Sequence, residues 1–171
     1  MGYDQNPMTE LDIRQLIEKL AGALLRRKWR LAVAESCTGG WVAKCCTDLA
    51  GSSDWFDRAF VTYSNAAKQD LLGVSPDSLV RDGAVSEAVA RQMATGARKA
   101  AGVDVALAVT GIAGPDGGSV DKPVGTVWFA WSVTGLDTVA SCRQFHGDRD
   151  AIRWQAVQHA LGGTLKRLES T

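Results

Sequence analysis

The run Ala32-Val33-Ala34-Glu35-Ser36-Cys37-Thr38-Gly39-Gly40 decides how the rest of the chain is read. It passes from apolar residues into a polar turn closed by two glycines, and Val42, Cys45, Cys46 and Leu49 follow at helical spacing. Residues 31–34 therefore predict a buried strand. Gly39 and Gly40 predict a tight turn whose backbone can approach a ligand closely, and the next residues a helix ending near Gly51-Ser52-Ser53. Such a strand-turn-helix sets Ser36 and Thr38 beside unpaired N–H groups at a helix start, where negative charge is stabilised. Two plainer readings compete. Ser and Thr before a helix act as N-caps, worth about 1 kcal/mol each. A phosphate cradle is the other, although the Gly-Lys-Ser/Thr of a P-loop is missing.

Working outward, residues 1–8 lack periodicity and read as a loose lead-in. Thr9 is a plausible cap for a helix whose Ile13, Leu16, Ile17, Leu20 and Leu24 form one stripe, closed by Arg26-Arg27-Lys28. Residues 55–63 are rich in aromatic and β-branched types and predict a strand broken at Ser64-Asn65. A short helical segment over 66–72 then places Lys68 about one turn past that strand. Pro76 suits the start of another short helix, Asp82-Gly83 is a turn, and Ser86 caps a helix closing at Gly102. Residues 103–110 are almost continuously apolar, the pattern of a strand covered on both faces. A glycine-rich loop from Gly111 to Pro123 follows, of a length that usually carries function. Residues 124–133 and 138–145 read as a hairpin around Gly135-Leu136, and Asp148 opens a last helix with Trp154, Val157, Leu161 and Leu168 on one face.

Strands alternating with helices, plus one hairpin, predict an α/β protein: a single three-layer α/β/α domain with a mixed sheet over residues 9–171. With 171 residues, 46% of them hydrophobic, the chain suits one domain with a substantial core. Nineteen basic residues balance nineteen acidic ones, so no overall field favours nucleic acid or an anionic membrane. No run reaches membrane-spanning length and no signal-peptide pattern opens the sequence, which predicts a cytoplasmic protein. Cys37, Cys45, Cys46 and Cys142 lack metal or redox spacing and read as reduced core residues, with Cys37 near the site. No metal ligand set and no cofactor motif is found.

A serine nucleophile needs a base. Lys68 is the candidate, because burial lowers a lysine pKa and lets it take a hydroxyl proton; alone, it would read as a solvated surface lysine. Tyr63, at a strand end, could relay a proton or hold the lysine. Thr110 ends a buried strand, with a hydroxyl free to orient substrate or else bonded to backbone. Arg149 begins the last helix, where a cation is disfavoured unless it serves an anionic ligand such as phosphate or carboxylate. His146 and His159 are not near an acid–serine pattern, so core or surface roles suit them better than a triad. Asp116 and Asp121 flank glycines and read as loop-formers.

These residues stand in blocks that resemble the CinA C-terminal domain family, the nicotinamide-nucleotide amidohydrolases: Ala34-Glu35-Ser36-Cys37-Thr38-Gly39-Gly40, Phe60-Val61-Thr62-Tyr63-Ser64-Asn65-Ala66-Ala67-Lys68, Val109-Thr110-Gly111-Ile112-Ala113-Gly114-Pro115, Lys122-Pro123-Val124-Gly125-Thr126-Val127 and Gly147-Asp148-Arg149. The resemblance spans about residues 11–168 and is to the stand-alone form, without the additional N-terminal domain of larger members. It implies hydrolysis of the carboxamide of nicotinamide mononucleotide to nicotinate mononucleotide and ammonia, a salvage step in pyridine-nucleotide recycling. It implies Ser36 as nucleophile and carries the family's Tyr, Lys, Thr and Arg onto Tyr63, Lys68, Thr110 and Arg149. On this reading Lys68, positioned with Tyr63, activates Ser36, and backbone N–H groups near Thr38, Gly39 and Gly40 hold the oxyanion. Arg149 and the loop from Gly111 to Gly118 receive phosphate and ribose. The rivals are a non-catalytic nucleotide-binding module and an amidase for another small amide. The partner expected is a small-molecule substrate, not nucleic acid or membrane, and between a monomer and a homo-oligomer the dimer is weakly favoured.

Overall fold

A computed structural model describes residues 10–171, so the lead-in and the Thr9 cap lie outside the described residues. The elements run α1 (Glu10–Arg27), β1 (Leu31–Glu35), α2 (Trp41–Thr47), a 3-10 turn (Ser52–Asp54), β2 (Phe56–Val61), α3 (Asn65–Leu72), α4 (Pro76–Asp82), α5 (Glu87–Ala101), β3 (Val105–Gly111), β4 (Thr126–Val133), β5 (Val139–Gln144) and α6 (Arg149–Glu169). The five strands form one sheet in the order β2-β1-β3-β4-β5. β1 pairs parallel with β2 and β3, while β3-β4 and β4-β5 are antiparallel, so the sheet is mixed.

The two faces of the sheet differ in side-chain size, and this sets the layers. Leu31, Val33, Val105, Leu107, Val109, Phe129 and Trp131 turn to the layer of α1, α2 and α6. Ala34, Ala106, Ala108 and Ala130 turn to the other layer, where Val89, Ala90, Met93, Ala94 and Ala97 of α5 meet them. Alternation along each strand delivers the large set to one side and the small set to the other. The alanine face brings α5 close to the sheet. α3 closes on α5 as tightly: a Cβ added at Gly96 would sit 1.9 Å from the Leu72 carbonyl oxygen.

Several boundaries differ from expectation. α2 stops at Thr47, four residues short of Gly51, where the Thr47 hydroxyl bonds the carbonyls of Ala43 and Lys44 and the chain departs into the 3-10 turn. β1 includes Glu35, and β2 ends at Val61 rather than Tyr63. The hairpin's first strand begins at Thr126 because Gly125, with φ +93°, turns the chain there, its N–H donating to the Ile112 carbonyl. The caps read from the sequence are in place: Ser86 accepts from Val89 N–H, Asp148 from Ala151 N–H, and Gly102 closes α5 in the left-handed conformation.

The connection from β1 to β2 runs through α2 on one face, and that from β2 to β3 through α5 on the other. The loops leaving the carboxyl ends of β1, β2 and β3 therefore part to opposite sides, and a crevice opens where they diverge. Ser36, Thr62 and Thr110 stand at that edge, each at or just beyond its strand's last residues.

Candidate active site

The turn after β1 is held from inside. Glu35 is fully buried, and its carboxylate accepts from the N–H groups of Gly40 (3.0 Å), Val42 (3.1 Å) and Ala43 (2.9 Å). The start of α2 is thus already occupied by an anion from the chain itself, which satisfies donors the helix cannot pair internally. Gly39 N–H donates to the Ser36 carbonyl, and Gly39 and Gly40 take φ of +60° and +99°, values that favour glycine. This corrects the expectation that Gly39 and Gly40 supply oxyanion donors: both amides are committed. None of the described residues accepts from the Thr38 N–H, and the Cys37 N–H meets only the thiol of its own residue.

Lys68 reaches this turn from α3. Its Nζ lies 3.0 Å from Ser36 Oγ and donates to the Thr62 carbonyl at 2.8 Å, and the residue is 1% exposed. The Thr62 carbonyl is available because Thr62 N–H pairs with the Glu35 carbonyl, an extension of the β1–β2 ladder past Val61. Ser64 caps α3 by accepting from Ala67 N–H, which fixes where the helix starts and hence where Lys68 emerges. Burial pushes the Lys68 amine below its ordinary value, and none of the carboxylates among the described residues bonds it to restore the charge. A hydroxyl and an amine so placed can exchange a proton directly. The neighbouring Cys37 thiol is pushed up to about 12 by burial, so it stays protonated and is no rival nucleophile.

Tyr63 is not where it was expected. It is 61% exposed at the rim, and its hydroxyl accepts from Arg149 at 3.0 Å rather than holding Lys68. Strand β2 has ended by then, so the side chain turns outward while the Thr62 carbonyl takes the lysine. Arg149 also donates to the Gly114 carbonyl at 2.7 Å, tying the glycine loop to the rim. Thr110 is 1% exposed and its hydroxyl donates to the Ala84 carbonyl at 2.9 Å, so it is bonded to backbone of the segment before α5. Gly111 continues β3 beneath the loop; a Cβ there would meet Val127 at 2.7 Å. The Thr38 hydroxyl is buried without a partner among the described residues.

Two residues of the site escaped the sequence reading. Neither stands out in the sequence: Glu35 is the last residue of a strand, and Arg153 lies inside the last helix. Arg153 bonds the carbonyls of Cys37 (3.1 Å) and Thr38 (3.0 Å) and lies over the Trp41 ring. The available signal was its spacing: Arg149 and Arg153 are four apart and share a helix face. Arg153 also borders a cavity of about 950 Å³ between α1, α2 and α6, which shares Gly39 and Gly40 with the turn but is not lined by Ser36 or Lys68. We place the chemistry at the serine and lysine, because that cavity holds no comparable pair.

Fold and site together define an α/β/α protein with a buried lysine on a strand-end serine. Residues 13–168 match the family model of the CinA C-terminal domain, and the chain belongs to that family. It is 53% identical to the nicotinamide-nucleotide amidohydrolase PncC of Enterobacter agglomerans, over 93% of this chain and 97% of that one. It is 54% identical to the protein of the same name from Escherichia coli K12, over 90% and 93%. The crystal structure of competence damage-inducible protein A from Klebsiella pneumoniae superposes with a TM-score of 0.88 at 40% identity, covering 92% of this chain and 97% of that one. The competence/damage inducible protein CihA of Agrobacterium tumefaciens gives 0.88 at 39% identity, covering 99% of each.

Proposed function

We propose that residues 9–171 form one amidohydrolase domain that converts nicotinamide mononucleotide and water to nicotinate mononucleotide and ammonia, a salvage step in the cytoplasm. The names of the full-length relatives support this substrate. The observation that carries the chemistry is the buried Lys68 Nζ, 3.0 Å from Ser36 Oγ.

In the reaction, neutral Lys68 accepts the Ser36 proton as Oγ attacks the carboxamide carbon. The carbonyl oxygen becomes an oxyanion, stabilised by the N–H groups of Cys37 and Thr38; the first of these follows the nucleophile directly, as in other strand-to-helix serine turns. When the tetrahedral species collapses, the C–N bond breaks and Lys68 returns the proton to the leaving nitrogen, which departs as ammonia. A water, deprotonated by Lys68, then attacks the ester; the Ser36 oxygen leaves with a proton and nicotinate mononucleotide is freed. Gly39 and Gly40 shape the floor without donating. Arg149, exposed at the mouth beside Tyr63, is suited to the phosphate, and the loop it ties at Gly114 to the ribose. Thr110 holds the wall behind Ser36.

Purified protein given nicotinamide mononucleotide should release ammonia, and Ser36→Ala should reduce the rate at least about 10³-fold while leaving the thermal melt unchanged. Turnover by the variant near the parent rate would remove Ser36 as nucleophile.

A further inference from the structure

We infer that Arg153 is a positioning residue for the reaction: by holding the Cys37 and Thr38 carbonyls toward α6, it aims the Thr38 N–H group at the developing oxyanion. This rests on the acyl-transfer reading of Ser36 and Lys68.

The peptide group is planar and trans, so the Cys37 carbonyl and the Thr38 N–H point in opposite directions. Arg153 Nε draws that carbonyl toward α6 at 3.1 Å. Thr38 N–H must then point away from α6, to the side from which Lys68 reaches Ser36 out of the α3–α5 layer. The preceding peptide is fixed in the same way: the Ser36 carbonyl accepts from Gly39 N–H, which orients Cys37 N–H away from Gly39. Arg153 Nη2 holds the Thr38 carbonyl at 3.0 Å, so both sides of residue 38 are pinned by one planar fork.

The side chain is itself held. Its guanidinium lies over Trp41, 5.2 Å from the ring centroid, and Trp41 packs on Trp154 with centroids 5.4 Å apart. Asp150 approaches it at 3.5 Å. Glu35 completes the frame by consuming the N–H groups of Gly40, Val42 and Ala43. Of the turn's donors, that of Thr38 stays free of protein partners among the described residues, and that of Cys37 meets only its own thiol.

The test compares parent, Arg153→Ala and Arg153→Lys for turnover of nicotinamide mononucleotide and for binding of two mononucleotides. One is the product, nicotinate mononucleotide. The other is the pyridine-3-carboxaldehyde analogue, to whose carbonyl carbon Ser36 Oγ adds, its proton passing through Lys68, to give a hemiacetal whose oxygen occupies the oxyanion position. Arg153→Ala should lower kcat by about 10- to 100-fold with KM changed less than about threefold. Its affinity for the aldehyde should fall by a similar factor while that for the product is kept, and Arg153→Lys should recover part of both losses. Unchanged kcat and aldehyde affinity in Arg153→Ala would overturn the inference, as would equal losses for aldehyde and product. A parent protein inert toward the amide and blind to the aldehyde would overturn the acyl-transfer reading itself.

Discussion

Lys68 is a cation-forming group held out of water with a serine hydroxyl and a carbonyl for company, and its behaviour follows from that poverty of partners. The charged form is disfavoured by burial, so the amine loses its proton at a lower pH than a solvated lysine. Two consequences follow. Activity should rise with pH through the folded-state pKa of Lys68, which lies below 10.5, and Lys68→Met should abolish it. Stability should also rise with pH between that folded value and 10.5, because the unfolded chain there binds more protons than the folded one. Denaturant melts across this interval should show a flatter slope in Lys68→Met than in the parent; an unchanged slope would mean that Lys68 is not the titrating group. Ser36 and Lys68 were legible in the sequence because each stands just past a strand at a break in apolar pattern. Glu35 and Arg153 were not, since a carboxylate collecting three amides and a guanidinium spanning 116 residues to the Cys37 carbonyl are relations in space, not in spacing.

At the scale of elements, Lys68 is placed by α3, and α3 is placed by α5. The Leu72 carbonyl rests where a side chain at Gly96 would be, so Gly96→Ala must push α3 away by a distance the Ser36–Lys68 contact cannot absorb. It should cost about 2 kcal/mol of stability and lower kcat as well. Gly163→Ala makes the matched control: its Cβ would meet the Trp131 ring at 2.2 Å in the α6–sheet contact, away from the serine and lysine. That variant should be comparably destabilised yet retain the kcat of its folded fraction. Comparing Tm with kcat at a temperature where both are folded separates the two. Strands and helix caps were largely legible from periodicity and from Ser86, Gly102 and Asp148. Strand ends were not, because Glu35 and Thr62 are settled by pairing between β1, β2 and the turn.

Across the whole molecule, one layer is built on large side chains and the other on alanines, and the crevice opens at the strand ends between them. The large-side-chain layer also contains His159, whose ring lies 4.6 Å from that of Phe129 and near Trp131 and Phe145. Burial, reinforced by Arg143, lowers its pKa to about 4, so the folded protein keeps it neutral. The unfolded chain binds the extra proton between pH 6.5 and about 4, and stability is therefore lost as pH falls through that window. His159→Gln should lessen the loss across these pH values by on the order of 1–2 kcal/mol, allowing for the ring's partial exposure. Urea melts at pH 4.5 and 7 measure it.

The central claim is that one serine, activated by a buried amine from a different element, forms an ester with the acyl group of the substrate. Acid quenching during turnover of nicotinamide mononucleotide, followed by peptide mass spectrometry, tests it directly. The account predicts a nicotinoyl-mononucleotide adduct on Ser36 that is absent in Ser36→Ala. An adduct on Cys37 instead, or undiminished turnover in Ser36→Ala, would contradict it.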